Sequence, residues 1–243
     1  MTLKISVISY NIEGLSLETN YCHDQSLANY IIEKGVCLKK YLENLDADII
    51  CIQEYTPILN LALDNYISVK KSYNAIFFNK DKFSYIKHKF NNDYGLVVTL
   101  KIVGLIIQVC THRLPPFNDN RTAREIIINK IDNLSKNKIF IFAADTNMRK
   151  SEDKPLDNLI DCFHYASITK GFYTLDKKFN PYFESDYNKP YRNRYDKIYC
   201  TNLLDCEQLI VMNPASNYNL IHPLYPYGNI SDHYPILAIL YIN

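Results

Sequence analysis

The chain has 243 residues, of which 47% are hydrophobic and 22% are charged, a composition that is ordinary for a soluble globular protein. Its formal net charge is +1, so the chain as a whole has no marked attraction for a polyanion. Any nucleic-acid site must therefore be a local feature of the surface.

Seven cysteines are scattered along the chain, and none of them belongs to a CxxC pair. An odd, scattered set argues against both a disulfide framework and a structural zinc site, and it favours a reducing compartment. The N-terminus lacks the long apolar region of a signal peptide, and no apolar stretch reaches the length of a membrane span. We therefore expect an intracellular protein of the cytoplasm or nucleus that is neither secreted nor bound to a membrane.

Hydrophobic periodicity predicts four elements near the start of the chain. Residues 3–10 alternate between apolar and polar side chains, as in a half-buried strand, whereas residues 27–45 repeat apolar side chains at helical spacing. Residues 49–52 form a short apolar run that is typical of a buried strand and ends at Gln53-Glu54. Pro57 is placed to open a short helix through Leu63.

The remainder of the chain adds strands and one further helix. Apolar runs separated by turn residues predict antiparallel neighbours at residues 75–78, 96–100 and 105–110. Residues 121–134 have helical periodicity, and further strands are predicted at residues 139–142, 195–200, 208–212 and 235–241. Strands mixed with flanking helices predict an α/β fold in which two sheets pack together and carry helices outside. No repeat or linker interrupts the sequence, so we expect a single domain over residues 1–243.

The segment Asp145-Thr146-Asn147-Met148-Arg149 directly follows a predicted buried strand. Open α/β sheets place ligands at such strand ends. There Asp145 could take a proton from water, Asn147 could hold an oxygen and Arg149 could clamp a phosphate. Taken alone, the segment fits a helix start better, with Asp145 or Thr146 as the N-cap and Arg149 in solvent.

Five other polar segments also lie at predicted strand ends. Each one alone is a weak signal, because an Asn after a strand is commonly a turn residue. Together with residues 145–149 they form an ordered series over nearly the whole chain, at residues 10–14, 53–54, 111–113, 194–198 and 231–235. In this order the segments resemble the endonuclease/exonuclease/phosphatase superfamily of Mg²⁺-dependent phosphoesterases. The resemblance implies a DNase-like four-layer α/β sandwich of two mixed β-sheets, with its active site across the strand ends.

Within that superfamily, the segment at residues 145–149 is similar to the 5′-tyrosyl-DNA phosphodiesterase branch. Segments 11–14, 172–176 and 194–198 resemble motifs of the same branch. The chain also departs from the branch, since Glu13 replaces an Asp, Ala143-Ala144 replace glycines and Leu175 replaces a Trp. In addition, the His112-Arg113-Leu114-Pro115 run lacks the usual continuation after the histidine. These departures leave the substrate more open than the chemistry.

The resemblance implies a role for each candidate residue. Glu54 would be the principal ligand of Mg²⁺, for which Mn²⁺ could substitute, and Glu13 a possible second or outer ligand. Asp145, assisted by Asn147, would deprotonate the attacking water, and His233, positioned by Asp196, would contact the phosphoryl oxygen. Asn11 and His112 would add phosphate contacts, and the substrate would also meet Thr146, Arg149, Arg113 and Tyr173. Less specific roles stay open, namely Glu54 as a helix cap, His112 as a core histidine and Asp232 as a loop brace.

Residues 170–197 interleave cationic and aromatic side chains. Such a surface suits a single-stranded nucleic-acid end, because bases stack on the rings while cations neutralise phosphates. The same composition is expected of an ordinary surface loop in a chain with 21 tyrosines.

The resemblance implies hydrolysis of 5′-phosphotyrosyl bonds between DNA or RNA 5′ ends and a protein tyrosine, leaving a 5′-phosphate. The partner would be nucleic acid, and the enzyme would be a monomer. The alternatives are a general Mg²⁺-dependent nuclease or abasic-site endonuclease, an inositol-phosphate phosphatase, and a catalytically silent nucleic-acid-binding protein of the same fold.

Overall fold

The computed structural model describes residues 2–23, 27–177, 191–212, 220–222, 225–228 and 230–242. Its helices are α1 (Gly14–His23), α2 (Ala28–Leu45), α3 (Arg121–Ser135) and α4 (Cys162–Tyr165). Its strands are β1 (Leu3–Asn11), β2 (Ile49–Gln53), β3 (Tyr66–Lys71), β4 (Asn74–Asn79), β5 (Ser84–Asn91), β6 (Gly95–Ile102), β7 (Leu105–Thr111), β8 (Ile139–Asp145), β9 (Leu159–Asp161), β10 (Ile168–Lys170), β11 (Leu175–Asp176), β12 (Arg192–Asn193), β13 (Asp196–Thr201), β14 (Leu204–Val211), β15 (Leu220–His222), β16 (Tyr225–Gly228) and β17 (Ile236–Ile242).

Two mixed sheets carry the fold. The first has the strand order β10-β14-β17-β1-β2-β4-β3 and the second the order β5-β6-β7-β8-β13-β9. Parallel pairs occur at β1–β2 in the first sheet and at β7–β8 in the second, next to antiparallel pairs such as β1–β17 and β8–β13. The predicted α/β class with two mixed sheets is therefore confirmed.

Side-chain alternation along the central strands divides the core into layers. On β1, Ile5 and Val7 face a core between the sheets, where they join Val98 and Ile141 of the second sheet. The opposite face of the first sheet packs on α2, and that of the second sheet packs on α3 through residues such as Ile128. Each such side chain stabilises the fold by about 1.5–3 kcal/mol when fully buried. The order helix, sheet, sheet, helix gives the predicted four layers.

Sequence and structure differ where apolar periodicity is weak or misleading. Strand β5 is exposed along its whole length, so it lacks the alternation that marks a strand with one buried face. The residues after Pro57 form only a 3₁₀ turn, Pro57–Leu59, rather than a helix through Leu63. Strand β4 pairs with β2 and β3 in the first sheet, so the prediction that it neighbours the strand at residues 96–100 was wrong.

The topology brings the polar strand ends to one edge of the molecule. Strands β1 and β2 run parallel, as do β7 and β8, and β13 begins at Asp196 opposite Asp145. Gln53 joins the two sheets there, because its Nε2 donates to Thr111 Oγ1 at 2.8 Å and to the Ala143 carbonyl at 3.2 Å. Among the described residues, no helix is long and apolar enough to cross a membrane.

Candidate active site

Asn11, the last residue of β1, lies at the centre of the site. Its side-chain Nδ2 donates to Glu54 Oε1 and to Asp145 Oδ2, each at 3.0 Å, and its Oδ1 accepts from the Glu13 backbone at 2.9 Å. The side chain is buried, so these bonds hold both carboxylates in place across the two sheets. One amide thus fixes the separation of the two acids.

Asp145 ends β8 and is held by the residue two positions later. Asn147 adopts a left-handed backbone conformation with φ 50°, which Asn tolerates better than most residues. This turn directs its backbone N–H to Asp145 Oδ1 and its Nδ2 to Oδ2, both at 3.0 Å. The same Nδ2 donates to the Leu114 carbonyl at 3.0 Å. The structure therefore brings Asn11, Glu54, Asp145 and Asn147 together.

His233 and Asp196 form the second half of the site. His233 Nδ1 lies 2.7 Å from Asp196 Oδ2, and both side chains are buried. Burial alone would lower the pKa of His233, but the negative charges of Asp196, Asp232 and Asp145 outweigh it and raise that pKa well above its ordinary value. Burial raises the pKa of Asp196 to about 6, against the opposing charge of His233. At neutral pH the shared proton therefore resides on the imidazole.

The two halves meet in one buried cluster. Ligand atoms of Asp145, Asp196 and His233 all lie within 4.8 Å of one another. Ser231 supports the cluster, since its hydroxyl donates to the Asn11 carbonyl at 2.7 Å and accepts from the His233 backbone at 3.1 Å. Asp196 Oδ1 is buried without a hydrogen-bond partner among the described residues, so the cluster retains acceptor capacity for a bound group.

Glu54, which the family resemblance implies as the metal ligand, is a buried carboxylate at the edge of the site. It follows β2 with φ 53° and is 6% exposed, and its Oε2 accepts from the Leu15 backbone at 3.3 Å. Gly14 allows this close packing, because a Cβ there would lie only 2.0 Å from the Glu54 carbonyl oxygen. The polypeptide at Gly14 therefore fixes Glu54 at the edge of the site.

Glu13 is directed toward the helices rather than toward Glu54. Its Oε1 accepts from the Ser16 hydroxyl at 2.6 Å, and its Oε2 lies 3.8 Å from the ammonium of the buried Lys34. Burial lowers the pKa of Lys34, although the charges of Glu13, Asp232 and Glu54 oppose that shift. This geometry favours the outer of the two roles predicted for Glu13.

His112 and Arg113 lie on opposite faces of the backbone after β7. Arg113 Nε is 2.6 Å from Glu54 Oε1 and 3.8 Å from Asp145 Oδ2, so it belongs to the site. His112 packs beside Gly95, where an added Cβ would come within 2.7 Å of the imidazole side chain. Burial lowers the pKa of His112 to about 4, so its ring is neutral at pH 7. Both ring nitrogens are buried without a hydrogen bond of good geometry among the described residues, so the phosphate contact of His112 stays a prediction.

Thr146 and Arg149 flank Asp145 but differ in exposure. The Thr146 hydroxyl is buried and donates to the Tyr195 carbonyl at 2.7 Å, so it braces β8 against β13 rather than facing a substrate. Arg149 keeps 29% of its side chain exposed, with Nη1 3.6 Å from Glu152 Oε1. Of these two residues, both predicted to contact the substrate, Thr146 is buried and only Arg149 is partly exposed.

Three of the seven cations of residues 170–197 are engaged within the protein. Arg194 Nη2 lies 2.7 Å from Asp161 Oδ2, Lys197 pairs with Asp153, and Arg192 Nη2 lies 2.7 Å from Asp176 Oδ2. Arg192 also stacks on Tyr173, with 4.3 Å between guanidinium carbon and ring centroid. A nucleic-acid-binding surface at residues 170–197 would need free cations to neutralise phosphates. These three cations are instead paired with carboxylates of the chain. Lys178, Phe179, Tyr182, Phe183, Tyr187 and Lys189 lie outside the described residues.

Sequence reasoning missed two buried cations that support the site. Lys34 and Arg124 are both fully buried, on α2 and α3 respectively. Arg124 donates to both Glu152 oxygens at 2.8 Å and to the carbonyls of Pro115 and Phe117 at 2.8 and 2.7 Å. A signal was present, because each cation interrupts the apolar stripe of its amphipathic helix.

Two packed sheets thus bring buried acids, an amide and a histidine together at one edge of the molecule. Residues 8–233 match the model of the endonuclease/exonuclease/phosphatase family. The chain belongs to that family, as its motifs predicted. No curated protein sequence matches it significantly.

Solved structures show the same fold at low sequence identity. D. rerio TDP2 complexed with single-strand DNA product is 19% identical with a TM-score of 0.74, covering 98% of both chains. TDP2 from C. elegans is 22% identical with a TM-score of 0.72, covering 98% of this chain and 75% of the other. A Bacteroides thetaiotaomicron mannosyl-6-phosphatase is 17% identical with a TM-score of 0.68, covering 97% and 99%. Proteins with different named activities therefore share this architecture.

Proposed function

We propose that the chain is a Mg²⁺-dependent phosphodiesterase that hydrolyses the bond between a nucleic-acid 5′-phosphate and a protein tyrosine, leaving a 5′-phosphate. The observation that carries the proposal is the position of Asn11, 3.0 Å from both Glu54 and Asp145, with the His233–Asp196 pair in the same buried cluster. This arrangement brings together a carboxylate for a metal ion (Glu54), a base (Asp145) and a cationic hydrogen-bond donor (His233).

The residues present fit a divalent ion at Glu54. Glu54, Glu13, Asp145, Asp196 and Asp232 give the site five carboxylates, more than the three cations Lys34, Arg113 and protonated His233 can balance. Mg²⁺ commonly binds through one or two carboxylates and keeps several waters. We place the ion at Glu54 rather than in the Asp145, Asp196 and His233 cluster, because His233 Nδ1 and Asp196 Oδ2 already engage each other at 2.7 Å. When bound there, the ion, Mg²⁺ or Mn²⁺, would supply neutralisation of the phosphate charge.

Asp145 and His233 divide the proton chemistry. Asp145 accepts a proton from the attacking water, whose oxygen forms a bond to phosphorus while the bond to the tyrosine oxygen breaks. Asn147 and Asn11 hold the Asp145 carboxylate in position for that transfer. The protonated His233 donates a hydrogen bond to a phosphoryl oxygen, whose charge grows in the transition state. The tyrosine departs as a phenolate, a stable leaving group because its pKa is about 10.

The segment at residues 145–149 supports a 5′-tyrosyl nucleic acid as the substrate. Asp145-Thr146-Asn147-Met148-Arg149 resembles the 5′-tyrosyl branch, and Arg149 is partly exposed beside the base. The D. rerio TDP2 structure, which shares the fold, holds a single-strand DNA product. We accordingly propose nucleic-acid 5′ ends as the partner, a monomeric enzyme, and an intracellular site of action in the cytoplasm or nucleus.

A general nuclease or abasic-site endonuclease is the second candidate. Ser231, Asp232 and His233 form the last motif of the site, and this motif fits the whole superfamily equally well. Leu175, which stands where the tyrosyl branch carries a Trp, lies next to this motif and pairs with His233 through a β-bridge. A smaller aliphatic side chain there weakens the argument for a stacked terminal base.

The deciding experiment compares four substrates with Mg²⁺ and with EDTA: 5′-tyrosyl, 3′-tyrosyl, abasic and unmodified duplex oligonucleotides. We expect Mg²⁺-dependent release of tyrosine from the 5′-tyrosyl substrate at the highest kcat/KM. Faster incision of the abasic or unmodified duplex would instead establish the second candidate.

A further inference from the structure

The Arg113 guanidinium lies in the corner of the site that a divalent ion needs. Its Nε is 2.6 Å from Glu54 Oε1 and 3.8 Å from Asp145 Oδ2. The backbone keeps it there, because Arg113 forms a parallel β-bridge with Asp145 and the Leu114 N–H donates to the Asp145 carbonyl at 2.9 Å. This cation therefore touches the carboxylate that we propose as the metal ligand.

The contact is one of charge rather than of a well-directed hydrogen bond. Arg113 Nε is buried and has no hydrogen-bond partner of good geometry among the described residues, despite its short distance to Glu54. Arg124 shows the contrast, since its Nε and Nη2 donate to the two oxygens of Glu152 at 2.8 Å each. Two parallel hydrogen bonds are the strong form of an arginine–carboxylate pair. The Arg113–Glu54 pair lacks them and is the more readily separated.

The exposure of Arg113 allows it to move. Its side chain is 29% exposed, whereas those of Lys34 and Arg124 are fully buried. A partly exposed arginine can leave its carboxylate without stranding a charge in the protein interior, and a guanidinium binds phosphate well. The ammonium of the buried Lys34 lies 3.8 Å from Glu13 Oε2.

We propose that Arg113 is a resident cation that competes with the divalent ion for Glu54, and that it turns to a substrate phosphate once the ion is bound. The inference rests on the proposed function, because it takes Glu54 as the metal ligand. It makes metal and phosphate binding cooperative: the guanidinium that leaves Glu54 becomes available to the phosphate. Arg113 is thus a determinant of metal affinity as well as a substrate contact.

Mn²⁺ binding to the metal-free full chain without substrate, followed by electron paramagnetic resonance, tests this directly. Arg113→Gln removes the competing charge, and we expect it to bind Mn²⁺ about tenfold more tightly than wild type, as suits loss of one charge-assisted contact. Arg113→Lys, which keeps a charge without the planar fork, should fall between them. Arg149→Gln, which removes a nearby cation that does not contact Glu54, should match wild type.

The outcomes separate this inference from the function on which it rests. If Arg113→Gln binds Mn²⁺ no more tightly than wild type while Glu54→Gln does not bind it, Arg113 does not compete with the ion. Glu54 then remains the metal ligand. Wild-type binding that is insensitive to Glu54→Gln overturns the metal site itself. Circular dichroism establishes that each variant is folded, and Arg113→Lys carries the comparison if Arg113→Gln does not fold.

Discussion

Hydrogen bonds fix the orientation of the Asp145 side chain at the end of β8. Its oxygens accept from the Asn147 backbone, the Asn147 side chain and the Asn11 side chain, each at 3.0 Å. A base held this way needs little reorganisation when it takes a proton from water. The precision of the site thus depends on two amides with the correct donors.

Replacing Asp145 with Asn removes the proton acceptor while it keeps the size of the side chain. We expect kcat for phosphodiester hydrolysis to fall by at least about 10²-fold, in the range of lost general-base catalysis. Stopped assays of product release measure the fall, and thermal unfolding shows that the variant is folded. A variant with wild-type turnover would remove Asp145 from the mechanism.

We expect the His233–Asp196 pair to set the alkaline limit of activity. Nearby carboxylates raise the pKa of His233 above its ordinary value, so the donor stays protonated through neutral pH and activity declines only as pH rises through that pKa. The stability linked to this proton follows the same sign: it is present below the unfolded pKa of about 6.5 and is lost as pH rises through the folded pKa.

Asp196→Asn removes the charge closest to the imidazole and should therefore lower the pKa of His233. We expect the alkaline limb of the kcat/KM profile to move to lower pH by about one unit or more, in keeping with a neighbouring carboxylate. Asp161→Asn, which alters a carboxylate paired with Arg194, is the matched control and should leave the limb in place. An unshifted limb in Asp196→Asn contradicts the assignment of His233.

At the scale of elements, helix α3 ties together the two loops that build one side of the site. Arg124 binds Glu152 after the Asp145 loop and the carbonyls of Pro115 and Phe117 after β7. A fully buried guanidinium with these partners fixes the relative positions of Asp145 and Arg113 without touching a substrate.

Arg124→Met keeps the bulk of the side chain but leaves Glu152 without its main partner. We expect the free energy of unfolding to fall by about 3–5 kcal/mol, because the variant leaves an uncompensated buried charge. Urea denaturation followed by circular dichroism measures the change. Lys154→Gln breaks an exposed pair with Glu125 and should change stability little; a similarly small effect in both variants would contradict the role of Arg124.

The sequence predicted those helices and strands in which apolar side chains occupy a buried face. The strands beneath the site, β1, β2, β7, β8 and β13, were all found because each has apolar residues on a buried face. Exposed β5 and the weakly periodic α1 were missed for the opposite reason. The internal pairing of Arg192 and Arg194 and the turn of Glu13 toward Lys34 could not be foreseen, because each depends on a partner brought close by tertiary packing.

At the scale of the whole molecule, charge is balanced and much of it is internally paired. The formal net charge is +1, and three cations of the segment at residues 170–197 are bound to aspartates of the same chain. These three cations are thus engaged within the protein, and we expect recognition to depend mainly on contacts close to the scissile phosphate.

Binding of a 5′-tyrosyl single strand to the Asp145→Asn variant should depend only modestly on salt. At about 0.7 per phosphate contact, we expect log K against log salt to fall with a slope between about −1 and −3. Arg149→Gln should make that slope shallower by roughly 0.7 if Arg149 contacts a phosphate. A slope steeper than about −5 would mean that a long phosphate-tracking groove exists after all.

We propose that Asp145 activates water for attack on phosphorus. Single-turnover cleavage of a 5′-tyrosyl oligonucleotide in H₂¹⁸O with Mg²⁺ tests it, with mass spectrometry of both products for wild type and Asp145→Asn. We expect one ¹⁸O in the 5′-phosphate and none in the tyrosine, at a rate that falls by at least about 10²-fold in the variant. Label in the tyrosine, or equal rates in the two proteins, would contradict the claim.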